Sequence, residues 1–180
     1  NIFSNEDGTA SELFHYFLGG MQRYVPKALL MMAPYVNSYQ RFCHAYASPN
    51  NLCWSHDNRS AGLRIPASGP EARRVENRLP GADANPYLAY AAAIAAGIDG
   101  LQNKIEPPPI FSGDVYQAQD LPTVPANLTE ATDELDQSAV LRAAFGDRVV
   151  DHYVHFFRTE QHKFDEAVTT WERARYFERG

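Results

Sequence analysis

The stretch from Asn58 to Arg78, NRSAGLRIPASGPEARRVENR, places five arginines and two glutamates in 21 residues of a chain whose formal net charge is -6. Such a local reversal of sign asks for an anionic ligand. Arg74, Glu76 and Arg78 stand at alternate positions, so on an extended strand their side chains share one face. Neighbours on that face are roughly 6.5–7 Å apart, which sets one carboxylate between two guanidiniums. Gly62-Leu63-Arg64-Ile65, closed by Pro66, reads as a second half-buried strand whose arginine points away from Leu63 and Ile65. A solvated sheet face with cross-strand ion pairs is the plainer reading of Arg-x-Glu. Arginines this dense on two neighbouring strands argue for more, because they repel one another unless phosphate or carboxylate groups come between them.

Composition bounds the rest. A chain of 180 residues can form one domain with a substantial core, and 44% hydrophobic with 21% charged residues describes a soluble globular protein. The pI near 5.5, with no basic face outside the arginine cluster, speaks against nucleic-acid binding. The most apolar run, Leu88 to Ile98, is too short for a membrane span, and the polar start at Asn1 is not a secretory signal. Cys43 and Cys53 do not make a disulfide framework; they read as small core residues in a reducing, cytoplasmic compartment.

In chain order, residues 1–10 are turn-rich, with Thr9 or Ser11 available to cap a helix. Helical spacing of apolar residues runs from Glu12 to Met32, with Pro26 dividing it and Gly19-Gly20 permitting close approach of another backbone. Pro34 to Asn51 is irregular, and Leu52 to His56 reads as a strand. Asn85 and Pro86 open a helix to about Gly100 that is nearly all apolar, which predicts burial on most sides and tight packing against a sheet. The proline-rich stretch from Asn103 to Pro125 reads as an ordered surface excursion. Helices follow at Leu128–Leu135, at Ser138–Ala144 and, continuous, at about Asp147 to Trp171. His152, His155 and His162 lie among aromatics without a Cys or a spaced carboxylate pair, so they are not read as metal ligands.

With Asn37-Ser38-Tyr39, Arg41, Asn58-Arg59-Ser60, Arg64-Ile65-Pro66, Arg74-Val75-Glu76-Asn77-Arg78 and Ala84-Asn85-Pro86-Tyr87-Leu88 in order, the chain resembles the C-terminal half of the glutamine synthetase catalytic domain. That resemblance implies an α+β fold, with antiparallel strands packed by helices and a mostly helical C-terminal part. It implies that residues 1–180 are a C-terminal portion, the N-terminal β-grasp domain and the first half of the catalytic domain lying upstream. The implied chemistry moves the ATP γ-phosphate to the glutamate side chain, after which an amine displaces phosphate from the γ-glutamyl phosphate. Arg41, Arg59 and Arg78 are then expected to face glutamate and its phosphorylated form. Arg59, Arg64 and Arg74 are expected along the ATP phosphates, with Arg59 and Arg78 as catalytic residues. Glu76 is expected to ligate Mg²⁺ or Mn²⁺. The family's rings imply a homo-oligomer with active sites between neighbouring subunits.

Two departures bear on function. The family's other metal-binding glutamates and its His-x-His segment are missing, so these 180 residues alone are expected to be inactive. In the loop where the family carries Gly-Tyr-Glu-Ala-Pro, this chain has Ala45-Tyr46-Ala47-Ser48-Pro49. Alanine at the position of a glutamate that binds ammonium and takes its proton leaves room for a substituent on nitrogen. The chain therefore resembles the branch that joins glutamate to alkylamines, polyamines or anilines. Asp57 is a candidate substitute base, with a turn role as its plainer reading. An ammonia-fixing glutamine synthetase and a non-catalytic scaffold are the alternatives. The loop around Tyr116 only partly resembles the family's adenylylated tyrosine loop, and that regulation is not expected.

Overall fold

The computed structural model describes residues 1–43, 48–118 and 120–179. The first helix, α1 (Glu12–Tyr24), starts where Ser11 Oγ accepts from the Phe14 amide, and it ends just before Pro26 as the spacing predicts. A single 3-10 turn, Leu29–Met31, continues the apolar run into the core. A four-residue helix, α2 (Gln40–Cys43), precedes three short strands: β1 (Trp54–His56), β2 (Leu63–Ile65) and β3 (Glu76–Asn77). Helix α3 (Pro86–Gln102) opens on Asn85, whose Oδ1 accepts from the Tyr87 amide at 3.0 Å. The C-terminal part is helical: α4 (Leu128–Asp136), α5 (Ala139–Phe145), α6 (Asp147–Asp165) and α7 (Thr170–Tyr176). The α+β class holds.

The sheet is mixed. The expected antiparallel pairing is found for β2 with β3, whereas β1 runs parallel to β2, with Trp54 opposite Leu63 and His56 opposite Ile65. A loop that carries the chain from the end of β1 back to its start makes that direction possible. The far side of β1 is covered by the proline-rich excursion: Phe111 N–H donates to Trp54 O at 3.0 Å, Leu52 N–H to Pro122 O at 3.0 Å, and Trp54 Nε1 to Pro108 O at 2.7 Å. These bonds satisfy an edge that would otherwise be open. They make the described residues of this excursion, 103–118 and 120–125, part of the same body.

One core joins the layers. Phe14, Leu18 and Met21 of α1 meet Leu29, Leu30 and Met32, the inward faces of β2 and α4, and Val150, Val154 and Phe157 of α6. Helix α1 packs on α3 at backbone distance. A Cβ on Gly20 would stand 2.2 Å from Ala96 O and 2.7 Å from Gly100 Cα. The contact face of α3 is therefore its small-residue face, Ala89, Ala92, Ala96, Gly97 and Gly100.

Three expectations need correction. Helix α3 is not buried on most sides and does not lie against the sheet. Its partner is α1, and Tyr87, Tyr90, Ile94 and Ile98 are 83%, 69%, 53% and 45% exposed. A helix with alanines all round has no moment to say which face goes in, and the close approach of two glycine faces decides it. The last helix is not continuous, because Thr169 caps a new one: its hydroxyl accepts from the Glu172 amide while Glu172 accepts from the Thr169 amide at 2.7 Å. Cys43 is exposed; only Cys53 is buried.

Candidate functional site

The arginine-rich stretch is brought together on β2 and β3. Leu63 and Ile65 turn into the core, which leaves Arg64 on the opposite face with its side chain 20% exposed. The antiparallel register sets Arg64 directly across from Glu76. Arg64 Nη1 donates to Glu76 Oε2 at 2.9 Å, and Arg78 Nη1 donates to Glu76 Oε1 at 3.0 Å. On its other side Arg64 Nη2 donates to Asp57 Oδ1 at 2.6 Å. The result is a row of alternating charge, Asp57, Arg64, Glu76, Arg78, across one face of the sheet.

The carboxylate between two guanidiniums predicted from spacing is thus present, but with a different partner. Arg64 takes the place expected for Arg74, because β3 is only two residues long and Arg74 precedes it. Arg74 is exposed and donates to Ala72 O at 3.0 Å. Arg73 leaves the cluster altogether, bonding Ser4 Oγ at 3.1 Å and Gly8 O at 3.0 Å, and so pins the N-terminal turn. Arg41, on α2, donates to Leu79 O, one residue after Arg78, and its guanidinium stacks 4.9 Å from the Phe42 ring centroid. Burial lowers the pKa of Arg41, partly offset by Asp83. Arg59 is exposed and lines an open cleft of about 600 Å³ with His56, Asp57, Ser60, Asp114 and Tyr116. Ala47 lies outside the described residues.

Among the described residues, the buried Nε atoms of Arg64 and Arg78 have no acceptor. Two cations on one sheet face, beside an exposed third, are chemically suited to phosphate or carboxylate oxygens. Asp57, singled out as a candidate base, is committed elsewhere. Its hydrogen bond from Arg64, then one from the Ala67 amide, hold its carboxyl below the usual carboxylate range, which makes it a poor proton acceptor. Residue spacing alone did not reveal this pairing, since Asp57 and Arg64 lie on opposite sides of a turn.

Glu76 is an oxygen donor of the kind Mg²⁺ or Mn²⁺ accepts, but both its oxygens are engaged by guanidiniums. Among the described residues no three His, Cys, Asp or Glu side chains come together to hold an ion. The described residues alone do not fit a complete metal site; they offer one carboxylate to it. Among the described residues, too, no helix is long and apolar enough to cross a membrane.

Comparison with known proteins identifies the family. The model of the glutamine synthetase catalytic domain matches residues 1–176. A gamma-glutamylethanolamide synthetase of Streptomyces coelicolor is 43% identical over 97% of this chain and 37% of its own length. A glutamine synthetase of Pyrococcus abyssi is 34% identical over 98% of this chain and 44% of its own length. Among solved structures, apo GmaS without ligand superposes with a TM-score of 0.86 at 32% identity, covering 98% of this chain and 41% of that one. The ADP complex of GmaS gives the same TM-score at 30% identity, over 99% of this chain and 43% of that one. The chain therefore spans about two fifths of the length of these relatives. On the match over residues 1–176, it belongs to the family of the glutamine synthetase catalytic domain.

Proposed function

We propose that the protein carrying this chain is an ATP-dependent ligase that joins the glutamate γ-carboxylate to an organic amine through a γ-glutamyl phosphate. Residues 1–180 are a C-terminal portion of its catalytic domain. The observation that carries the reading is the charge row around Glu76. Two guanidiniums flank one carboxylate on one face of the sheet, in a family that must hold two anionic reactants together.

Within that reading Arg59, Arg64 and Arg74 meet the ATP phosphates, while Arg41, Arg59 and Arg78 meet glutamate and its acyl phosphate. Of these, Arg64 and Arg78 are held by ion pairs to Glu76, whereas Arg59 and Arg74 are exposed. Glu76 is one oxygen ligand of a Mg²⁺ or Mn²⁺ whose remaining ligands lie outside this chain; a divalent ion there would supply charge neutralisation at the transferring phosphoryl group. The protein works in the cytoplasm as a homo-oligomeric ring and needs neither membrane nor nucleic acid.

The organic-amine reading is supported by Ala47 in the substrate loop and by the higher identity to an ethanolamide-forming relative than to the glutamine synthetase of Pyrococcus abyssi. Phosphate release from the full-length protein, measured with ATP, glutamate and a panel of amines, tests it. Turnover with ethanolamine, an alkylamine or a polyamine well above that with ammonia is expected. Equal turnover with ammonia would turn the reading to an ammonia-fixing glutamine synthetase, and no MgATP-dependent stabilisation would leave only a scaffold.

A further inference from the structure

We infer that Asp57 is a positioning residue for Arg64, holding its guanidinium in place for ATP; this rests on the ligase reading above. Asp57 follows β1 with a left-handed backbone, φ +51°, a conformation that Asp tolerates better than most residues. Its amide donates to Ile65 O at 2.9 Å and its Oδ1 accepts from the Ala67 amide at 3.4 Å. The carboxylate is thereby folded back over the end of β2, where Arg64 Nη2 reaches the same Oδ1 at 2.6 Å.

Arg64 is held from both sides, by Asp57 at Nη2 and by Glu76 at Nη1. The two anchors are not equivalent. Glu76 is shared with Arg78, and any positive charge drawn to that carboxylate competes directly with Arg64. Among the described residues Arg64 is the one cation that hydrogen-bonds Asp57, while Arg59 acts on its carboxyl only at longer range. When Glu76 is drawn away, Asp57 alone fixes the guanidinium, leaving Nη1 for an anion. The ion pair also favours the charged form of Arg64 and disfavours protonation of Asp57.

The test uses the full-length protein with Asp57→Asn, which suits the left-handed backbone and removes only charge, and Asp57→Gly, which removes the side chain and relieves the backbone. The KM for ATP should rise roughly three- to fivefold in the glycine variant, the upper range for a half-exposed ion pair, and less in the asparagine variant. The kcat should stay within about twofold and the KM for glutamate should not move, a split that general destabilisation would not produce. An unchanged KM for ATP in Asp57→Gly overturns the inference. If the wild-type protein shows no ATP-dependent turnover with any amine, the ligase reading fails by itself. Crystals of Asp57→Gly then decide the positioning role: Arg64 displaced or in several conformers upholds it, and an unmoved Arg64 overturns it.

Discussion

The Arg64 guanidinium and the Glu76 carboxylate meet at 2.9 Å because the two residues are register partners across the antiparallel β2–β3 pair. The backbone of the sheet, and not the flexibility of either long side chain, sets that distance. Glu76 also neutralises Arg78, so one carboxylate compensates two cations.

Replacing Glu76 by alanine should therefore do more than remove the carboxylate proposed to ligate a metal. It leaves Arg78 without its carboxylate partner and Arg64 with Asp57 alone. In the full-length protein kcat should fall on the order of a hundredfold or more, as for loss of a group that stabilises transition-state charge. Phosphate release at saturating ATP and glutamate reads the effect, and activity near wild type would remove Glu76 from the site.

Ala47 should govern the acceptor. Ala47→Glu restores at that position the carboxylate that resemblance assigns to ammonium binding. The ratio of kcat/KM for ammonia to that for the best organic amine should rise about tenfold or more, the effect of one charged contact. An unchanged ratio would move the choice of amine to another part of the protein.

The helical C-terminal part is tied by charge. Arg142 Nη1 lies 3.0 Å from Asp147 and 2.8 Å from Asp151, and its other donors reach Asp136; Arg158 Nη2 lies 2.9 Å from both Asp133 and Asp136. Arg142 first, and Arg158 after it, hold the Asp136 carboxyl below its ordinary value. A depressed folded pKa gives stability that is complete above the unfolded carboxylate value of about 4 and is lost as pH falls through the folded one. Amide exchange in α5 should accelerate below roughly pH 4 before exchange in α1 does. Arg142→Ala should abolish that separate acid step by loosening α5 already at neutral pH.

Gly20→Ala should separate α1 from α3. The added methyl meets Ala96 O at 2.2 Å, and that carbonyl belongs to helical backbone that cannot rotate away. Overpacking of this kind costs about 1–3 kcal/mol or more, which urea unfolding would read as a lower midpoint. The same substitution in an isolated helix would raise helicity, since alanine is the better helix former by about 1 kcal/mol.

Several features were legible before any tertiary contact was known, because they depend on a few consecutive residues. Ser11 and Asn85 cap the helices that follow them through their own side chains, and Pro26 lies just beyond the end of α1 for want of an amide proton. Alternation sent Leu63 and Ile65 inward and Arg64 outward, and the charge density of residues 58–78 marked the site. The linked motifs were specific enough to imply the family.

Tertiary structure alone decided which charges meet. Arg64 and not Arg74 flanks Glu76, since strand register and length, set by long-range pairing, choose among arginines that look alike in sequence. It likewise spent Arg73 on the N-terminal turn and gave Asp57 to Arg64 across a turn. It chose the alanine and glycine face of α3 for the core, because two helices can approach closely only where neither carries a large side chain. Local sequence states what each residue can do; which partner it finds depends on segments far away in the chain.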